Sequence, residues 1–264
     1  MNAFEKAQLY LRASWALGNL NLRGLPLLPK GFFNLPVYNR SAYNEFVIWI
    51  HRFHLKSARW VVDVGANHGD FAEAAAAYFP DTNVLLVEPL PHVHDELEQR
   101  CIRHRGKWLL EKSALGAEEA VLPLHVAAGQ DAIGSLVGFS LEYQRANPQT
   151  EIDQLRCKVR RLDAVVAEQN IPFIDLLKID VEGFEFQVLK GATAVLERTR
   201  ALIVEVSLVR RLAEARDPLT EMLDLLSACG FHVVNVIPSF FDRSCPWRPV
   251  EFNILARKPD AAGI

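Results

Sequence analysis

The sequence predicts an α/β fold of the doubly wound kind, a mostly parallel open sheet with helices on both faces. Three observations predict it. From residue 59 onward, short apolar runs alternate with helical patterns. A glycine-bearing turn at residues 65–69 joins the first of these runs to an alanine-rich helix. The same alternation resumes after residue 170. Parallel neighbours need long connections, which helices supply.

The chain of 264 residues suits one mid-sized domain with an added segment. Residues 1–58 form the predicted N-terminal helical and irregular extension, and residues 59–264 the main domain. The extension opens with a helical pattern that sets Leu9, Trp15 and Leu17 among Lys6, Gln8 and Arg12. A stretch punctuated by proline and glycine, Leu25 to Pro36, should be irregular. A second helix is predicted over residues 41–55, with Tyr43, Phe46, Val47 and Ile50 on one face. A cap packed on the main domain is the simplest role for this segment. A lid, a dimer surface and a peripheral membrane contact are the alternatives.

In the main domain, strands are predicted at Trp60–Val64, Asn83–Val87 and Trp108–Lys112, with helices at Phe71–Tyr78 and Val93–His104 between them. Residues 116–170 read as irregular. Ile174–Ile179 then reads as strand, Phe184–Leu196 as helix and Ala201–Val206 as strand. Leu219–Ala228 reads as a helix ended by Gly230, and Phe231–Val236 and Phe252–Ala256 as the last strands. Residues 237–249 between them read as a loop holding Phe240, Phe241 and Trp247. That makes seven strands.

Composition narrows the function. A net charge of −3 gives no drive toward nucleic acid, and the run Arg156, Lys158, Arg160 and Arg161 reads as the solvated face of a strand. Cys101, Cys157, Cys229 and Cys245 stand too far apart for a zinc pair or an iron–sulfur cluster, so free thiols in a reducing cytoplasm are expected. No apolar run approaches the ~18–20 residues of a membrane span, and the N-terminus lacks the pattern of a secretory signal.

The chemistry concentrates in two strings. In Asp63-Val-Gly-Ala-Asn-His-Gly69, the absent side chains of Gly65 and Gly69 let a ligand approach backbone, and Asn67 tolerates a left-handed conformation. Asp63 ends its strand, where a carboxylate could face a cationic ligand group. Glu88, in Leu-Val-Glu-Pro about 20 residues on, can accept both hydroxyls of a ribose. The glycine spacing that cradles a pyrophosphate is absent, which weighs against a nicotinamide cofactor and toward one without phosphate. The second string runs Asp175-Leu-Leu-Lys-Ile-Asp-Val-Glu-Gly-Phe-Glu185. In an open α/β sheet its Asp180 and Glu182 would face the cleft beyond the strand ends.

Val-Asp-Val-Gly-Ala-Asn-x-Gly, Val-Glu-Pro, Leu-Lys-Ile-Asp-Val-Glu-Gly-Phe-Glu and Ile-Val-Glu-Val (residues 203–206), in that order, resemble the FkbM family of methyltransferases. Gly134-Ser135-Leu136 and Leu162-Asp163 resemble shorter motifs of it. The resemblance spans roughly residues 60–256; the first 58 match nothing in it. It implies a Rossmann-like class I methyltransferase sheet with its last strand inserted antiparallel. It also implies S-adenosylmethionine as cofactor, and transfer to an oxygen of a small-molecule or glycan acceptor. Carried over, Asp63, Gly65, Asn67, Gly69 and Glu88 bind the cofactor. Ser113 and Ala114 lie along its adenine, and Asp180 by its methionine end.

Asp180 or Glu182 is the expected acceptor base or orienting group. Otherwise Asp180 only binds cofactor and Glu182 only caps the helix at Phe184. No metal is expected, a divalent cation on Asp180, Glu182 and Glu205 being the lesser alternative. His68, His92 and His94 are expected to face water, with His125 and His232 either buried or exposed. The rival functions are a nicotinamide-dependent oxidoreductase and a non-catalytic cofactor-binding protein; a homodimer stays open.

Overall fold

The computed structural model describes residues 37–127, 134–139, 144–145, 147–207, 218–242 and 245–259. The strands are β1 (Trp60–Val64), β2 (Asn83–Val87), β3 (Trp108–Glu111), β4 (Ala114–Leu115), β5 (Ala120–Ala127), β6 (Gly134–Ser135), β7 (Ile152–Arg160), β8 (Ile174–Ile179), β9 (Thr199–Ser207), β10 (His232–Asp242) and β11 (Cys245–Arg257). Seven of them form the main sheet in the order β10-β11-β9-β8-β1-β2-β3. Neighbours from β9 to β3 run parallel, and β11 lies antiparallel between β9 and β10. This is the doubly wound sheet expected, with the antiparallel insertion in place.

The helices are α1 (Val37–Phe53), α2 (Asp70–Tyr78), α3 (His94–Arg103), α4 (Leu162–Glu168), α5 (Glu185–Lys190), α6 (Thr193–Glu197) and α7 (Pro218–Ala228). Period-two alternation sorts the strand residues onto two faces. Val61, Val84, Leu86, Leu176 and Ile203 pack with α1–α3. Val62, Val64, Leu85, Leu177, Ile179 and Val204 pack with α4–α7. Buried on both faces, these strands read as near-continuous apolar runs, which is why they were legible. Asp175 ties two strand starts together: its Oδ2 accepts the Arg59 and Trp60 amides at 2.7 and 3.2 Å.

Helix α1 belongs to this core. Tyr43, Phe46, Ile50 and Phe53 are buried, and the Phe46 ring meets Phe71 at 5.3 Å and Phe79 at 6.0 Å. Arg257 donates to the Phe53 carbonyl at 2.7 Å, joining the end of α1 to the end of β11. The earlier helical pattern around Leu9, Trp15 and Leu17 and the proline-rich stretch lie outside the described residues.

Four expectations are corrected. Residues 116–170 are not irregular throughout: β4, β5, β6 and β7 make a second sheet, ordered β4-β7-β5-β6. In its β7, Cys157 and Val159 turn inward while Arg156 and Lys158 face water. Arg160 is instead paired with Glu111 at 2.9 Å and with Glu168, tying the small sheet to β3 and α4. The helix predicted over Phe184–Leu196 is two, α5 and α6. It breaks at Gly191, where a Cβ would come within 2.0 Å of the Gly116 carbonyl oxygen. Asp163 fastens the start of α6, accepting the Val195 amide at 2.9 Å and the Thr193 hydroxyl at 3.1 Å. Finally, most of the predicted 237–249 loop is paired strand. β10 and β11 continue together to Asp242 and Cys245, through several register shifts. No described helix is long and apolar enough to cross a membrane.

Candidate functional site

Strands β1, β2, β8 and β9 are parallel, so their carboxyl ends share one edge of the sheet. Strand β11 runs the other way, and Glu251, its first residue paired with β9, lies opposite Ser207 at that same edge. A cavity of about 460 Å³ lies there, within the ~300–1,000 Å³ typical of small-molecule sites. The order of the strands arranges its lining residues. Ser113 and Ala114 come just past β3, Glu88 past β2, and Gly65 and Asn67 past β1. Asp180 and Glu182 stand past β8, then Glu205 and Glu251. The small sheet adds Leu124, Gly134 and Leu136.

The glycine turn is held from both sides. The Gly65 and Ala66 amides donate to the Val87 carbonyl at 3.0 and 3.1 Å, and the Asp180 amide donates to the Val64 carbonyl at 3.0 Å. Gly65 has φ +79°, and a Cβ on it would fall 1.8 Å from the Asp180 carbonyl oxygen. Its bareness therefore serves the close approach of β1 and β8 before any ligand arrives. Asn67 adopts the left-handed conformation expected, φ 47°. Gly69 (φ +81°) does not line the cavity: a Cβ there would meet Leu97 at 3.1 Å and Arg100 at 3.4 Å, so it seats α3.

Glu88 is 3% exposed. Its Oε2 accepts the Asn67 amide at 2.7 Å and its Oε1 the Leu90 amide at 2.9 Å. Each oxygen keeps a second lone pair for a ligand. Burial raises its pKa, and the two amides counter that by favouring the ionised form. Beside it, Ser113 Oγ and Asn67 Oδ1 are buried in the cavity wall without a hydrogen-bond partner among the described residues. Orphaned polar atoms at a wall suit a polar ligand that completes them.

Asp63 departs from expectation. It alternates onto the face shared by Val61, so its carboxylate is fully buried beside Lys178 and is not part of the cavity wall. The Lys178 ammonium lies 3.8 Å from Asp63 and 2.8 Å from Asp180 Oδ2. Cross-strand register sets Lys178 beside Asp63, and a two-residue step sets it on the face of Asp180. Desolvation pushes Asp63 up to about 7, with Lys178 opposing it. The two acids hold the Lys178 pKa above its usual value despite burial.

After Asp180 the chain turns through Glu182 (φ 56°) and Gly183 (φ 99°). Glu185 satisfies this turn. Its Oε1 accepts the Val181 and Gly183 amides at 3.1 and 3.0 Å, and burial pushes its pKa to about 7. Carboxylate oxygens of Asp180, Glu182 and Glu205 lie within 4.8 Å of one another, a spacing that could hold a cation. Burial, then Asp180 and Glu182, push the Glu205 pKa upward. Glu251 was missed from the sequence, and Glu185, the end of the second string, was given no role there.

The histidines keep mostly minor parts. His68 pairs with Glu96 at 2.8 Å, half-exposed. His94 does not simply face water, since its Nε2 lies 2.8 Å from the Glu88 carbonyl oxygen. His92 and His232 are exposed and His125 is half-buried.

Several known proteins are similar to this chain. AmbE, an AMB antimetabolite synthetase of Pseudomonas aeruginosa, is 32% identical over 66% of this chain, but the match spans only 9% of AmbE. The 31-O-demethyl-FK506 methyltransferase FkbM of Streptomyces tacrolimicus is 30% identical, over 74% of this chain and 81% of its own. The 2-O-methyltransferase NoeI of Sinorhizobium fredii is 26% identical, over 75% of this chain and 78% of its own. Among solved structures, a precorrin-6y C5,15-methyltransferase from Geobacter metallireducens aligns over 81% of this chain and 87% of its own. It does so at a TM-score of 0.45 and 13% identity. The family profile described as the methyltransferase FkbM domain matches residues 63–233, nearly the whole span that builds the cavity, and the chain belongs to that family.

Proposed function

We propose that this chain is an S-adenosylmethionine-dependent O-methyltransferase acting on a hydroxyl of a glycan or specialised metabolite. The observation that carries this is the cavity itself. Glu88, with one lone pair free on each oxygen, and the orphaned Ser113 and Asn67 lie toward β3, while a carboxyl cluster lies toward β9. The two relatives named for O-methylation support oxygen as the target atom.

The residues fit an adenosine-bearing, phosphate-free cofactor. Glu88 would take the ribose hydroxyls, Ser113 and Ala114 would border the adenine, and Gly65, Asn67 and Asp180 would receive the methionine part. Asp63 and Gly69 would act indirectly, the first through Lys178 and the second by seating α3. When bound, adenosylmethionine supplies a methyl group already activated toward in-line displacement.

The chain's own work is to align the acceptor, a contribution on the order of 7–11 kcal/mol where geometry is well set. Asp180 or Glu182 orients the hydroxyl and receives its proton, worth typically ~10²–10⁴-fold. Acceptor choice falls to residues 1–58, to 128–160 and to the β10–β11 hairpin. That hairpin overhangs the carboxyl edge beyond Ser207 and carries Trp247, 80% exposed, free to stack on an acceptor face.

Calorimetric titration with adenosylhomocysteine and with NAD tests the cofactor; binding of NAD alone overturns the proposal. Labelled adenosylmethionine with a panel of sugars and lipid-linked glycans then tests transfer. In Asp180→Asn and Glu182→Gln, turnover should fall at least tenfold in one variant with cofactor affinity measured separately. Unchanged turnover in both removes the base.

A further inference from the structure

We infer that Ser135 is a positioning residue that sets Glu182 at the cavity, acting from the small sheet on the carboxyl edge of the main one. The inference rests on reading Glu182 as an acceptor-side group.

Glu182 is left-handed at φ 56°, a conformation that residues with a β-carbon resist, and Gly183 comes next at φ 99°. A turn of this kind persists only where its surroundings hold it. Glu185 braces it from within, through the Val181 and Gly183 amides. The second brace crosses between sheets: Ser135 Oγ donates to the Glu182 carbonyl oxygen at 2.6 Å. The same Oγ accepts the Val137 amide at 3.0 Å, so the hydroxyl is fixed as donor on one side and acceptor on the other. Ser135 is 1% exposed, so the donor side of this bond is shielded from solvent.

The surroundings leave little choice of residue. Ser135 sits between Gly134 and Leu136, both in the cavity wall, while Ser135 is not. A Cβ on Gly134 would come within 3.1 Å of Leu90. Strand β6 is held in register by His125 and Val126 of β5. Alanine at 135 cannot donate; threonine can, at the cost of one methyl group. Because Ser135 touches the turn and not the cavity, its loss should reach turnover through Glu182 and leave cofactor binding alone.

The test compares wild-type protein with Ser135→Ala and Ser135→Thr. Amide exchange at Val181–Phe184, measured by mass spectrometry with adenosylhomocysteine bound, should quicken at least tenfold in the alanine variant and return in the threonine variant. With an acceptor that the wild type methylates, kcat should fall at least tenfold in the alanine variant. The adenosylhomocysteine Kd should stay within twofold, and threonine should restore most of the rate. Unchanged exchange overturns the brace. So does an alanine variant with kcat within twofold of wild type, a loss seen only in cofactor Kd, or a threonine variant no better than alanine. A wild type that methylates no hydroxyl defeats the functional reading instead, and exchange alone then decides the brace.

Discussion

Gly65→Ala separates what a glycine turn does for the protein from what it does for a ligand. The alanine Cβ would lie 1.8 Å from the Asp180 carbonyl oxygen and 2.8 Å from its carbon. Both are backbone atoms at the end of a central strand, so no flexible side chain can yield. The left-handed φ of +79° adds about 1–2 kcal/mol for any residue with a β-carbon. Forcing the strands apart adds about 1–3 kcal/mol. Gly106 is the internal control: it has the same φ, +79°, and nothing within 4 Å of a built Cβ. Gly106→Ala should therefore lose only the conformational part, and Gly65→Ala about 2–5 kcal/mol in all. At roughly 2–4 °C per kcal/mol for a domain of this size, that is about 4–20 °C in Tm. Gly65 and Asp180 both line the cavity, so adenosylhomocysteine should also bind Gly65→Ala at least tenfold more weakly, and Gly106→Ala normally. Thermal unfolding and calorimetry on the two variants decide it. If Gly65→Ala proved as mild as Gly106→Ala, with affinity intact, the close approach of β1 and β8 would not be what the glycine serves.

The site carries three further expected outcomes. Glu88→Gln turns one of the two acceptor oxygens offered to a ligand into an NH₂ donor, at about 1–3 kcal/mol. Calorimetry should show adenosylhomocysteine binding weakened some five- to over a hundredfold, and affinity within twofold of wild type would remove Glu88 from the site. Asp63 and Glu185, both pushed up to about 7 by burial, bind protons more tightly folded than unfolded. Their stabilisation is complete below the unfolded value near ~4 and is lost as pH rises through about 7. Urea midpoints of the ligand-free protein should accordingly fall from pH 5 to 8. Asp63→Asn should flatten that slope, and a parallel slope in the variant would count against the buried acid. Lys178 already occupies Asp180 Oδ2 at 2.8 Å, so methyl transfer should survive EDTA. Activity lost to chelator and regained with magnesium would instead place a cation on Asp180, Glu182 and Glu205.

What the sequence disclosed depended on the range of the forces involved. The central strands of the main sheet were legible because strands buried on both faces must be apolar throughout, and each ends where the chain leaves the core. Asn67 was legible because few residues other than glycine accept its φ of 47°. Asp63 was misplaced although the signal was present: period-two alternation from buried Val61 turns it into the core, away from the cleft. The small sheet was missed because β5 carries Pro123, and the charged run of β7 reads as one strand face without naming its partner. These two strands lean on one another across residues far apart in sequence. Glu251 could not have been found from strand ends, because β11 runs backward and meets the carboxyl edge at Glu251, in mid-strand. Gly69 looked like part of a ligand loop, and only the packing of Leu97 and Arg100 against it shows otherwise.

The division of labour in the cavity comes from this topology. Residues toward β3 are fixed by local backbone: Glu88 by two amides, of Asn67 and Leu90, and Gly65 by a neighbouring carbonyl. Residues toward β9 are fixed by charge and burial, with Lys178 holding Asp180, and burial and then Asp180 raising the Glu205 pKa. The turn Val181–Gly183 is where the two meet, since Asp180 precedes it in the strand and Ser135 grips it from the small sheet. A substitution in the glycine turn should therefore alter cofactor affinity first. A substitution in the small sheet should alter turnover first, although both sets of residues border one cavity.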